Sequence, residues 1–146
     1  MRLKEFYLEL SILFNYLQSF SLLFARVALA YGFYTPALTK WNNFDTTTQW
    51  FSSLGIPFAS FATLLTASVE IMGVVLLILG LFTRIITIPL MFVMGVATFT
   101  VHISNGFSVA NNGFEIPLYF FLFLLILISH GAGKFSLDYL IFGEKS

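Results

Sequence analysis

The chain reads as long apolar runs separated by short polar connectors. Four runs stand out, at about 14–38, 57–81, 85–103 and 115–130. A helix needs about 20 mainly apolar residues to cross about 30 Å of hydrocarbon. In lipid each such run must satisfy its own backbone hydrogen bonds. The pattern therefore predicts an all-α, polytopic membrane protein, a four-transmembrane-helix bundle forming a single domain over 1–146. The fourth run, Glu115 to His130, is short and rich in aromatics. It suits a locally thin bilayer or an extension through Gly131.

The connectors differ in kind. Thr39 to Ile56 reads as a loop of eighteen residues with Asn42, Asn43 and the run Thr46-Thr47-Thr48. Phe82-Thr83-Arg84 is a tight turn, so the second and third spans form a hairpin. Ser104 to Phe114 is rich in Asn and Gly, and Asn111-Asn112-Gly113 reads as a turn. Gly131-Ala132-Gly133-Lys134 breaks the last span before a short tail. No internal repeat is evident, which weakens an inverted-repeat transporter reading.

Before the first span, Leu3, Phe6, Tyr7 and Leu10 recur at helical spacing against Arg2, Lys4, Glu5 and Glu9. This fits either an amphipathic helix on the membrane surface or the polar end of one long first helix. A basic start before an apolar run is also shared by signal peptides. No small-x-small cleavage site follows a short apolar core, so the first run reads as a retained span.

Composition agrees with the pattern. Hydrophobic residues make up 58% of the chain and charged ones only 10%, with a mean hydropathy of +0.91, whereas a soluble domain carries about a quarter charged residues. The formal net charge is zero, so a nucleic-acid footprint has no support. The chain has no cysteine, which removes disulfide exchange, thiolate metal ligation and CxxC redox chemistry. The charges also set an orientation. With four spans, Arg2, Lys4, Arg84, Lys134 and Lys145 share one side and Lys40 stands alone on the other. The positive-inside rule then places both termini in the cytoplasm, with Trp41 and Trp50 at the outer interface.

Against this apolar background, two charges fall mid-span: Arg26 and Glu70. Intramembrane ionisable residues are expensive and face the protein interior. Antiparallel spans bring the two to similar depth, and the geometry allows a direct or water-bridged Arg26–Glu70 ion pair. It reads either as a structural pair fixing helix register or as a ligand or proton site. Small residues share their faces: Ser21, Ala25, Ala28 and Gly32 in the first span, and Ala59, Thr63, Thr66, Gly73 and Gly80 in the second. Small faces let membrane helices approach closely. The third span continues the rhythm with Met91, Gly95, Thr98 and His102. His102 near its outer end and Glu115 at the start of the fourth span lie at comparable depth. With Lys40, Asn105, Asn111 and Asn112 they form a polar mouth above the Arg26–Glu70 layer. A single His and a single Glu do not make a metal site, and no metal is expected.

The ordered set of polar residues resembles a known family. It runs Arg26, Gly32 and Lys40, then Val69-Glu70-Ile71-Met72-Gly73, then Gly80-Leu81-Phe82-Thr83-Arg84. His102, Asn105-Gly106-Phe107 and Asn112-Gly113-Phe114-Glu115 follow, and Gly131-Ala132-Gly133-Lys134-Phe135-Ser136-Leu137-Asp138 closes it. Over roughly Leu22 to Leu140 this resembles the DoxX family of small four-helix bacterial membrane proteins. Carried onto this chain, the family's signature polar positions fall on Arg26, Lys40, Glu70, Arg84, His102 and Glu115. Two departures stand out. The histidine expected shortly before the lysine is absent from Tyr34 to Thr39, and Val74 follows Gly73 where a second glycine is usual.

The resemblance implies a bacterial inner-membrane protein, and the family takes its name from a subunit of a thiosulfate:quinone oxidoreductase. Three functions follow as expectations. One is a quinone- or lipid-linked subunit of a membrane oxidoreductase, with quinone as ligand, no intrinsic cofactor, and a redox partner subunit or a homo-oligomer supplying the rest. The second is a non-enzymatic membrane scaffold or partner-binding module. The third is a small-molecule carrier.

Overall fold

The computed structural model describes residues 2–143. The described chain is all helical. Its elements are α1 (Leu3–Asn15), α2 (Gln18–Asn42), α3 (Phe44–Ser53), α4 (Ala59–Leu79), α5 (Thr83–Ala97), α6 (Glu115–His130) and α7 (Leu137–Phe142). A π turn, Thr98–His102, and a 3₁₀ turn, Ile103–Asn105, prolong α5. Three runs are long and apolar enough to cross a membrane: Gln18–Asn42, Ala59–Leu79 and Thr83–Asn105. The shorter apolar α6 has 16 residues, or roughly 24 Å at helical rise.

The long helices α2, α4, α5 and α6 each bury one stripe, as a bundle requires. On α2 the stripe is Leu22, Arg26, Leu29, Ala30, Phe33 and Ala37; on α4 it is Thr63, Ala67, Glu70, Gly73, Val74 and Leu77. Leu90 of α5 and Leu124 and Leu127 of α6 complete the core. Most of the expected α4 face is thus buried. The small-residue face expected on α2 is not: Ser21 and Ala28 are exposed, and larger side chains fill the interface. Gly32 is the exception, because a Cβ there would run into the ring of Phe120 on α6. That ring also meets Phe33 edge-on at 5.3 Å between centroids. Gly73 plays the same part between α4 and α5, where a Cβ would stand 2.9 Å from Leu90.

Two connectors differ from expectation. The first span does not begin at Phe14: the helix breaks at Tyr16 and Leu17, and α1 stands apart with no buried residue. Nor is Thr39 to Ile56 a loop. α2 continues to Asn42, and α3 follows at once. The alternation of Phe44, Thr47, Thr48 and Phe51 is helical, and α3 buries Thr47 and Phe51 as it packs on the start of α4. Thr48 donates to Thr63 Oγ1 at 3.2 Å, tying the two helices side chain to side chain. Of the polar residues that suggested a loop, Asn42, Asn43 and Thr46 are exposed, whereas Thr47 is buried and Thr48 bonds to α4.

Candidate functional site

The two mid-span charges do not pair with each other. Arg26 reaches the far end of α4, where Nη1 donates to the carbonyls of Leu77 at 2.9 Å and Ile78 at 3.4 Å. Nη2 donates to the carbonyl of Phe135 in the tail. The last carbonyls of a helix have no intrahelical donor and carry the negative end of its dipole. A buried guanidinium with its fork of donors suits that place. Glu70 lies seven residues earlier on α4, roughly 10 Å along the axis. The expected alignment took Arg26 as the centre of a span beginning at Phe14. With α2 starting at Gln18 and running to Asn42, Arg26 lies opposite the end of α4 instead.

This end of the bundle is closed by a knot of caps. Gly80 ends α4 with φ +64°, and the Arg26 guanidinium and Ser136 crowd the space a side chain would need. Asp138 donates its backbone N–H to the Gly80 carbonyl at 2.9 Å. Its carboxylate accepts from the N–H groups of Phe82 at 2.7 Å and Thr83 at 2.9 Å. A carboxylate on the free N–H groups at a helix start is a cap. Asp138 thus starts α5 while Arg26 ends α4, and the segment Gly131 to Asp138 links them. Arg84, at the same end, is exposed.

Glu70 pairs with Lys40. From the last turn of α2 the ammonium donates to both carboxylate oxygens, at 3.1 Å to Oε1 and 2.9 Å to Oε2. The Lys40 side chain is 16% exposed and that of Glu70 only 2%. The Lys40 stem folds back along α2, bringing Nζ within 3.5 Å of the Pro36 carbonyl. An ammonium has three donors. Two are spent on Glu70, and the third makes only this long contact. The pair is therefore a buried carboxylate, central in an apolar helix, reached through a partly accessible cation with one weakly engaged donor.

His102 and Glu115 form a separate layer and do not bond to each other. His102 Nδ1 lies 2.8 Å from the Asn112 carbonyl, to which Asn105 also donates at 3.2 Å. Glu115 accepts from the Val109 N–H at 2.9 Å and from Tyr119 Oη at 3.3 Å. Phe114 and Glu115 donate their N–H groups to the carbonyls of Gly106 and Phe107, both at 3.0 Å. These two side chains staple the 106–114 segment rather than meeting across a mouth, and Lys40 belongs to Glu70 rather than to them. Among the described residues no group of three or more His, Cys, Asp or Glu side chains is placed to hold a metal.

Sequence reasoning missed the Lys40–Glu70 pairing and the role of Asp138. The signal for the first was the helical period of Phe44 to Phe51. Read as a helix, it carries α2 up to Asn42 and puts Lys40 on a rigid last turn. For Asp138 the signal was Ser136-x-Asp138 directly after a Gly-rich break. Ser136 indeed caps α7 by accepting from the Tyr139 N–H at 3.2 Å.

A small helical membrane protein with an ion pair in its core is the class that this geometry defines. The DoxX family model matches residues 21–103, and the chain belongs to the DoxX family. An Uncharacterized protein of Haemophilus influenzae is 36% identical over 129 residues, covering 83% of each chain. The Escherichia coli Inner membrane protein YphA is 32% identical over 123 residues, 80% of this chain and 87% of its own. A Bacillus subtilis protein named "Putative oxidoreductase CatD" is 31% identical over 123 residues, 84% of this chain and 88% of its own. No solved structure matches the chain.

Proposed function

We propose that the chain is an inner-membrane subunit of an oxidoreductase system that holds a quinone head group at Lys40 and Glu70. The observation that carries this reading is the buried Lys40–Glu70 pair, with one ammonium donor only weakly engaged. Two charges in a helix core are not needed for packing, since apolar residues of similar volume are often as stable. A quinone carbonyl oxygen accepts the third Lys40 proton in place of the Pro36 carbonyl. On reduction to quinol the head group takes up two electrons and two protons. The ammonium–carboxylate pair is placed to pass protons to it. In this reading the electrons come from a partner subunit. Support for the redox setting comes from the relative named as an oxidoreductase, and for the inner membrane from YphA.

In this reading α6 is the fourth span and both termini are cytoplasmic. Arg2, Lys4, Arg84 and Lys134 lie at the termini side, and Lys145 falls outside the described residues. On the opposite side the ammonium of Lys40 is already spent on Glu70, so the imbalance of free cations favours this orientation. The test is quinone content. Purified protein should carry quinone enriched over the bulk lipid extract, and the Glu70→Gln variant, with its fold checked by circular dichroism, should not. Equal quinone in both would overturn the assignment.

A second reading, a partner-binding scaffold, is favoured by the stapled 106–114 segment. It presents Phe107 and Val109, each about half exposed, on a backbone held by its own hydrogen bonds. Loss of a defined complex on Phe107→Ser, with quinone content unchanged, would favour it.

A further inference from the structure

A cavity of about 420 Å³ opens at the break between α1 and α2. Ile12 and Asn15 of α1, Tyr16 at the break, and Gln18, Ser19 and Phe20 of α2 form one wall; Lys134 and Phe135 of the tail form the other. The tail is held there. Lys134 N–H donates to Ser19 Oγ at 3.4 Å, and the rings of Phe20 and Phe135 meet at 4.8 Å between centroids, tilted by 46°. The volume is that of a small-ligand site. Its lining is split in character: Asn15, Gln18, Ser19 and Lys134 are polar residues, while Ile12, Phe20 and Phe135 are apolar. Among the described residues Lys134 is the single charge in the lining, no carboxylate there opposes it, and its ammonium has no ion-pair partner.

The helix beside the cavity has the matching shape. Leu3, Phe6, Tyr7, Leu10, Leu13 and Phe14 fall on one arc of α1, while Lys4, Glu5, Glu9, Ser11 and Asn15 lie elsewhere together with Leu8 and Ile12. No α1 residue is buried against protein. An amphipathic helix of this kind lies in the headgroup and acyl boundary with its apolar face down. The exposed Phe20 and Phe24 continue that apolar surface onto α2.

We propose that this elbow binds an anionic phospholipid of the leaflet at the chain termini. Lys134 takes the phosphodiester, Asn15, Gln18 and Ser19 hydrogen-bond the head group, and the acyl chains run between α1 and Phe20. The charge complementarity of a lone cation and the continuity of the cavity with the lipid-facing surface single out this occupant. The site does not involve Lys40 or Glu70 and holds in either membrane orientation.

The test is lipid titration of the full-length protein in detergent, followed by native mass spectrometry. Phosphatidylglycerol should bind more tightly than phosphatidylcholine. Lys134→Gln should weaken phosphatidylglycerol about fivefold, the worth of one basic residue at an anionic surface, without changing phosphatidylcholine. Lys134→Arg should keep the preference, and Arg84→Gln, another exposed cation at this end, should leave it intact. Equal binding of the two lipids by the wild type, or full preference in Lys134→Gln, would overturn the proposal. So would an equal loss in Arg84→Gln, which marks diffuse surface charge. Displacement of phosphatidylglycerol by millimolar inorganic phosphate would mark a free-phosphate site instead. Circular dichroism of Lys134→Gln separates loss of the site from loss of the fold.

Discussion

Lys40 Nζ bonds both carboxylate oxygens of Glu70, at 2.9 and 3.1 Å, joining the last turn of α2 to the middle of α4. The two ends of this bond differ. Lys40 is partly exposed beside Trp41, and a freed lysine can snorkel to the interface. Glu70 is 2% exposed and has no such route.

That asymmetry predicts the stability of variants. Lys40→Met strands the carboxylate and should cost about 3 kcal/mol, and Glu70→Leu should cost less. The double variant should recover to within about 1 kcal/mol of wild type, because well-packed apolar groups replace a buried pair at little loss. Thermal melts of the four proteins in one detergent give the cycle. Additive losses in the double variant would mean that the two side chains do not act as a pair.

Arg26 should behave as a structural residue. Arg26→Leu removes the donor from the Leu77, Ile78 and Phe135 carbonyls and should cost about 3 kcal/mol or more, since each buried acceptor left unpaired costs about 1–3 kcal/mol. Asp138→Ala removes the cap on Phe82 and Thr83 and should cost about 1–2 kcal/mol. Neither should change quinone affinity in the folded fraction. Melting temperature and quinone binding, measured on the same samples, check both halves.

Two glycines that look alike in the sequence should part company. Gly32→Leu drives a side chain into Phe120 and should lower the melting temperature sharply. Gly95→Ala should be nearly silent, because a Cβ there meets nothing within 4 Å. A large loss at Gly95 would contradict the packing of α5.

Orientation can be read on a background with no cysteine. Asn111→Cys, in the exposed 106–114 segment, should react with a membrane-impermeant thiol reagent added to intact cells. Lys134→Cys should react only after the membrane is opened. The reverse pattern would invert the topology.

The apolar runs themselves declared the helices, and Glu115 to His130 is found at its expected ends. On α4 the buried stripe was equally plain, because Glu70, Gly73 and Leu77 share one helical face. Register was not legible. It depends on where a neighbouring helix starts, and the break at Tyr16 and Leu17 is marked by no proline or glycine. Arg26 meets α4 seven residues beyond Glu70, roughly 10 Å along the axis, and Lys40 takes its place as the partner of Glu70. The end caps were hidden for another reason. Arg26 and Asp138 bond mainly to backbone groups, and a backbone partner leaves no residue type to recognise.

The most direct measurement uses the protein's two tryptophans, Trp41 beside Lys40 and Trp50 on α3. A short-chain quinone titrated into the purified protein should quench their fluorescence saturably. Lys40→Met and Glu70→Gln should each weaken that binding at least tenfold, about 1.4 kcal/mol, and Arg84→Gln should not. Unchanged saturable quenching in both site variants, or quenching that never saturates in the wild type, would contradict a quinone site at Lys40 and Glu70.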